Sequence, residues 1–133
     1  MPWFDRRSGT EVIEHRACLE LLAGDNVGRL AIVEAGHPLI LPVNYIVDGE
    51  SILVRTGEGS KLNAAHGGPA CFEIDHFDRS KRTGWSVVVR GRLREVGEFD
   101  PLPAELPDPW IPERQHLLRL DADSITGRRV EPR

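Results

Sequence analysis

No apolar run in this chain approaches the roughly 20 residues that a bilayer-spanning helix needs. The opening Met1-Pro2-Trp3-Phe4-Asp5-Arg6-Arg7 also lacks the apolar stretch of a signal peptide. Cysteine is scarce: Cys18 and Cys71 stand alone on apolar segments, with no CxxC and no ligand-like neighbours. That pattern excludes a disulfide framework and points to buried, reduced thiols in a cytoplasmic protein. Excess positive charge is missing too. A net charge of -4 and a pI near 5.7 argue against nucleic acid or an anionic membrane as the main partner. The five histidines (His15, His37, His66, His76, His116) are scattered without metal-ligand spacing, so no metal site is expected. No Ser/His/Asp or Cys/His arrangement follows from spacing, and no catalytic residue is assigned. There is no internal repeat and no low-complexity segment.

What the 133 residues do contain is one domain's worth of strand and turn signals. Ser8-Gly9-Thr10-Glu11 has the form of a capping box and predicts a helix over 11–23, with Ile13, Ala17, Leu21 and Leu22 along one side and Gly24 at its end. Strands are predicted over 27–34, 38–47, 51–56, 69–75, 85–96 and 115–121. The turn Ala35-Gly36-His37 joins the first two, and Asp48-Gly49 is the strongest hairpin signal. Residues 1–10 form an N-terminal extension. Residues 100–114 form a proline-rich excursion, with five prolines between 100 and 112. Strands linked by tight turns, with one short helix inserted midway, predict a mainly β fold: a small antiparallel six-stranded barrel with flanking short helices.

The second predicted strand is apolar on both faces. Leu39, Leu41, Val43 and Tyr45 share one side, and Ile40, Pro42 and Ile46 the other. In so small a barrel the outer face has nothing to pack on except a second copy of the chain, so a symmetric homodimer is expected. Val87 and Val89 against Val88 repeat the pattern. Pro42 also removes one ladder donor, which opens the sheet locally and frees the Pro42-Val43-Asn44-Tyr45 backbone for a planar heterocycle.

The stretch Arg55-Thr56-Gly57-Glu58-Gly59-Ser60-Lys61-Leu62-Asn63-Ala64-Ala65-His66 reads as strand end, glycine turn and helix start. Gly57 and Gly59 let successive N–H groups point into one concavity, and Ser60 is a good N-cap. Lys61 falls at the first helical position, where the helix end disfavours a cation. Arg55 lies close by. An anion between them resolves the conflict: a phosphate monoester would meet the N–H groups, the Thr56 and Ser60 hydroxyls and both cations. The alternative is an ordinary strand–turn–helix joint with two solvated basic side chains.

Four signatures resemble the pyridoxamine 5'-phosphate oxidase-like superfamily of flavin-binding split barrels. They are Val27-Gly28-Arg29-Leu30, Pro42-Val43-Asn44-Tyr45, Thr56-Gly57-Glu58-Gly59-Ser60-Lys61 and Gly84-Trp85-Ser86-Val87-Val88-Val89-Arg90-Gly91, in matching order. The resemblance covers about 11–129. It implies one FMN-binding split-barrel domain over 1–133 and a homodimer with the cofactor across the subunit interface. It also implies phosphate contacts from Arg55, Thr56, Ser60 and Lys61, and backbone contacts from Pro42, Val43 and Asn44 to the ring's polar edge. Ser86, with Trp85, matches the place where the fifth strand reaches the cofactor; Trp85 also reads as core packing. Trp110 reads either as an aromatic lid over the flavin or as a plug on the barrel rim, and Arg114 as a partner for an anionic substrate.

The chain departs from the vitamin-B6 oxidases themselves, because Asp123-Ser124-Ile125-Thr126-Gly127-Arg128-Arg129-Val130 carries neither their His nor their Trp. The resemblance therefore implies a short bacterial flavoprotein, similar to nitroimidazole reductases and relatives of unassigned activity. The expected function is FMN-dependent transfer of hydride or electrons from a reduced nicotinamide to a small organic acceptor. The alternatives are a deazaflavin-dependent reductase and a non-catalytic flavin- or haem-binding module for storage or sensing. Cys71 is expected to be buried, Arg128-Arg129 a solvated tail, and Arg90, Arg92 and Arg94 a solvated or interface face.

Overall fold

Alternating side chains build the sheet. In Val27–Glu34 the residues Gly28, Leu30 and Ile32 are buried, while Arg29, Ala31 and Val33 face outward. The computed structural model describes residues 3–5, 9–57, 66–108 and 116–132. In chain order the elements are β1 (Trp3–Asp5), β2 (Thr10–Ile13), α1 (His15–Ala23), β3 (Val27–Glu34), β4 (His37–Asp48), β5 (Ser51–Thr56), β6 (His66–Asp78), β7 (Thr83–Glu95) and β8 (His116–Val130).

All pairings are antiparallel, and six strands close a ring in the order β8-β5-β4-β3-β6-β7, with β7 returning to β8. This mainly β ring is the split-barrel arrangement the sequence predicts. β2 and β1 extend the sheet from the far half of β8. Two-residue turns set the register of the first hairpins. Ala35 and Gly36, both at positive φ, link Glu34 to His37, and Gly49 at positive φ opens the turn between Asp48 and Ser51. No helix among the described residues is long and apolar enough to cross a membrane.

Several expectations are corrected. The helix does not start at 11: Thr10–Ile13 is a strand, pairing Glu11–Ile13 with Gly127–Arg129, and the helix begins at His15. The β-branched pair Val12-Ile13 sits poorly in a first helical turn, and Ile13 gains burial in the strand. Gly24 does end the helix, its N–H donating to the Leu21 carbonyl at 3.2 Å. The last strand does not stop at 121 but runs to Val130. A register shift between Arg90 and Gly91 leaves Asp123 as an extra residue in β8, so the inward set changes phase from Leu118, Leu120 and Ala122 to Ile125 and Gly127. That phase change hides the strand from a period-two reading. Arg128-Arg129 consequently lies in the sheet, with Arg129 3.4 Å from Glu11. His66 opens β6, and His37 opens β4 beyond its turn. Cys18 is buried as expected, whereas Cys71 faces outward and is half-buried.

The core fills the ring. Leu30, Ile32, Val43, Tyr45, Ile52, Val54, Phe72, Ile74, Val87, Val89, Leu93, Leu118 and Leu120 pack together, and α1 closes one end through Cys18 and Leu22. The Tyr45 ring meets Phe72 edge-on at 4.6 Å, and its hydroxyl donates to the Leu22 carbonyl at 2.6 Å, tying helix to barrel. Burial, with the nearby Asp25 carboxylate, raises the Tyr45 hydroxyl pKa well above its ordinary value.

Gly28 is a packing requirement, because a Cβ there would lie 2.2 Å from the Phe72 ring. Gly28→Ala is expected to destabilise the fold by about 1–3 kcal/mol through overpacking. Urea denaturation measures this, and adding Phe72→Leu should recover part of the loss. An unchanged midpoint in Gly28→Ala would show that the ring moves aside freely.

Candidate functional site

The site follows from where two strands part. β4 and β5 pair only from Tyr45↔Val54 to Asp48↔Ser51. Beyond that point β5 stays with β8, through Arg55↔Leu117 and Thr56↔His116. β4 stays with β3, through Val27↔Asn44, Gly28↔Val43 and Arg29↔Pro42. Among the described residues no strand pairs with the β5-side edge of β4 from His37 to Asn44. A fork results, with Pro42, Val43 and Asn44 on one arm and Arg55, Thr56 and Gly57 on the other. The expected local opening at Pro42 is present, and it extends along much of β4.

The arms differ in what they offer. Val43 turns its side chain into the core, and its backbone shares the β3 side with Tyr45, whose N–H donates to the Asn26 carbonyl at 3.0 Å, so the open edge is offered by the exposed Pro42 and the half-buried Asn44 rather than by Val43 as expected. Arg55 faces outward and donates from Nε to the Pro107 carbonyl at 2.7 Å. Thr56 is inward and buried. Arg55 and Thr56 thus leave opposite faces of the strand end. Ser60, Lys61, Trp110 and Arg114 lie outside the described residues, as does the helix predicted after Ser60.

Trp85 and Ser86 are not brought to this fork. They pair with Arg129 and Arg128 at the far end of β8, whereas Arg55 pairs with Leu117. At about 3.3 Å per residue the two ends are on the order of 35–40 Å apart along β8. Trp85 packs partly against the core, and with His76, Thr83 and Arg129 it lines a cleft of about 130 Å³. Ser86 alternates with buried Val87 and faces outward, away from its own barrel.

Two polar clusters went unread in the sequence. On the outer face Arg29 bridges Glu73 at 2.7 Å and Asp75 at 3.0 Å, from two strands that meet only at Arg29–Ala31. Both acids alternate with buried Phe72 and Ile74, so their shared outer face was legible; their cation was not, because β3–β6 pairing is non-local. The second cluster straps the segment after β7 onto the sheet. Arg119 is 2.9 Å from Asp48, hydrogen-bonds Ser51 and donates to the Pro101 carbonyl at 3.3 Å. Arg94 joins Asp121 at 2.7 Å and Asp100 at 3.0 Å, so this arginine is not simply solvated. The Gly97 N–H, followed by Arg94, holds the Asp100 carboxyl below its ordinary range. A charged residue between Leu118 and Leu120 was the one sequence signal for this cluster. Beside the fork, Asp25, Asn26, Tyr45, Ile46, Pro103 and Glu105 line a cleft of about 420 Å³.

Burial, reinforced by Asp75, raises the Glu73 carboxyl against the opposing pull of Arg29. A carboxyl raised in the folded state adds stability while protonated. That contribution is complete below the unfolded value and lost as pH rises through the folded one. Relative to Glu73→Gln, the unfolding midpoint of the unmodified protein should therefore fall as pH rises from the ordinary carboxyl range towards neutrality. Thermal unfolding of both proteins across that range checks it. A difference that grows in favour of Glu73 would mean Arg29 dominates.

Known proteins share this fold. The family model described as pyridoxamine 5'-phosphate oxidase matches residues 14–129. The uncharacterized protein Rv0080 of Mycobacterium tuberculosis is 30% identical over 135 residues, covering 93% of this chain and 89% of that protein. Among solved structures, the FAD binding protein from Mycobacterium smegmatis superposes with a TM-score of 0.70 at 32% identity, covering 92% of this chain and 99% of that one. The FAD and heme binding protein from the same organism shares the fold, with a TM-score of 0.68 at 18% identity over 90% of this chain and 72% of that one.

Proposed function

The chain belongs to the pyridoxamine 5'-phosphate oxidase family, and on that premise we propose that it is a flavoprotein holding FMN at the fork between β4 and β5. The unpaired β4 edge carries the reading. Buried or ligand-facing backbone N–H and C=O groups need partners, and a planar heterocycle edged with donors and acceptors supplies them to the Pro42 carbonyl and the Asn44 backbone, Val43 being assigned through the family motif alone. The fork also ends beside a guanidinium. Arg55, with Thr56, Ser60 and Lys61 assigned through the family motif, gives the phosphate charge-assisted contacts. The FAD-binding relative at 32% identity supports a flavin.

When bound, the flavin supplies hydride or electron transfer from a reduced nicotinamide to a small organic acceptor. The chain's own share is grip, orientation and exclusion of water. A second copy completes the site in this reading. Ser86 and Trp85 lie too far along β8 to serve their own fork, and Ser86 faces outward, where a partner's fork can receive it. The exposed outer face of β4 is apolar at Pro38, Ile40 and Pro42, with Ile40 66% exposed in the single chain, which suits a homodimer contact. FAD is the second reading, favoured by the name of the M. smegmatis relative, since it carries the same flavin mononucleotide portion. Deazaflavin, haem, and storage or sensing without turnover are further outcomes of the same tests.

The purified protein should be yellow, and mass analysis of what denaturation releases should identify FMN. Oxidation of NADH or NADPH coupled to flavin reduction separates an oxidoreductase from a storage module. Lys61→Ala should weaken FMN binding about tenfold or more by removing a charge-assisted contact; equal flavin occupancy in that variant would count against the phosphate assignment. Ile40→Asp should convert a dimer to a monomer in analytical ultracentrifugation and release the flavin. A monomeric parent protein would remove the two-chain site.

A further inference from the structure

The segment joining β7 to β8 is held to the barrel by arginines from three different strands. Arg94 of β7 reaches Asp100 at 3.0 Å, Arg119 of β8 reaches the Pro101 carbonyl at 3.3 Å, and Arg55 of β5 reaches the Pro107 carbonyl at 2.7 Å. Asp100 also accepts the Gly97 N–H at 2.6 Å, fixing the segment's first turn. Apolar burial is not what holds its near end, since Phe99 is 93% exposed and Leu102 46%. Pro101, Pro103 and Pro107 each fix φ between the anchor at Asp100 and the contact at Arg55, which limits the freedom of the chain that links them.

From this we infer that the proline-rich excursion is a positioning element for the anion contact of Arg55, with Asp100 as its anchor. The inference rests on the phosphate reading above. Arg55 donates to Pro107 through Nε, which fixes the guanidinium plane and leaves the Nη pair as its bidentate edge for a dianion. A long arginine side chain loses rotamer freedom when it grips an anion; a carbonyl that already holds it reduces that cost. Asp100 touches no part of the fork and acts only through the excursion.

A double-mutant cycle tests this with FMN as the probe. Asp100→Ala should raise the FMN dissociation constant on the order of fivefold in the parent protein and leave it unchanged in an Arg55→Ala background. Equal effects in both backgrounds, or none in the parent, would overturn the inference while leaving the flavin reading standing. If the parent protein binds no FMN at all, the flavin reading itself fails and takes this one with it. Hydrogen exchange guards against a variant that does not fold. In the parent protein FMN should slow exchange over residues 97–106, and in Arg55→Ala that slowing should vanish. Exchange that FMN leaves unaltered in the parent also overturns the inference.

Discussion

Tyr45 is the residue at which the barrel divides. It is the first residue of β4 to pair with β5, its ring is wedged against Phe72, and its hydroxyl is committed to the Leu22 carbonyl. Burial forbids that hydroxyl from going unpaired, so helix, β4 and core are locked at one point. Upstream of it, β4 follows β3; beyond Val54, β5 follows β8. The fork is therefore an outcome of two strong loyalties pulling two strands apart. An unpaired strand edge is a hazard in a soluble protein, and prolines at 38 and 42 blunt it as a template for another strand. A ligand that needs backbone partners turns the same hazard into a site.

The outer surface has a matching logic. Across neighbouring strands, the row Pro42–Arg29–Glu73–Val88 sets an ionic pair between two apolar residues on one face. Arg29 bridges two acids there, one more than its charge can neutralise, so the face presents Ile40, Val33 and Pro42 around a shared ion cluster. Unpaired charge would oppose burial of that face, whereas a closed triad lowers the opposition. The Glu73 carboxyl, raised by its own burial, shows how near that balance already is.

Local signals carried most of the fold. The bounds of β3 and β5 and the two tight turns were legible because each depends on alternation or on a glycine at positive φ. The errors share a different origin. The strand at Thr10–Ile13 exists only because Gly127–Arg129 lies beside it, and those residues are in a strand only because a bulge at Asp123 lets the pattern restart. Tertiary pairing overrode a capping motif that was locally sound. At the site, Pro42 announced the opening, since a missing donor is written in the sequence. The partition of Arg55 and Thr56 to opposite faces was equally readable from their adjacency. The hold of Pro107 on Arg55 was not, because it joins residues 52 positions apart through a backbone carbonyl, which no side-chain pattern marks.

The arginines of this barrel show why such a contact belongs to the site's construction. Arg29 crosses strands on the outer face, Arg94 and Arg119 fasten the excursion, and Arg55 lies where excursion and fork meet. Lysine suits none of these places equally, since its three donors radiate from one point and give no planar edge that fixes the direction of each partner. A planar fork with several donors does. Arg55 is thus one described side chain at which the irregular segment meets the divided sheet.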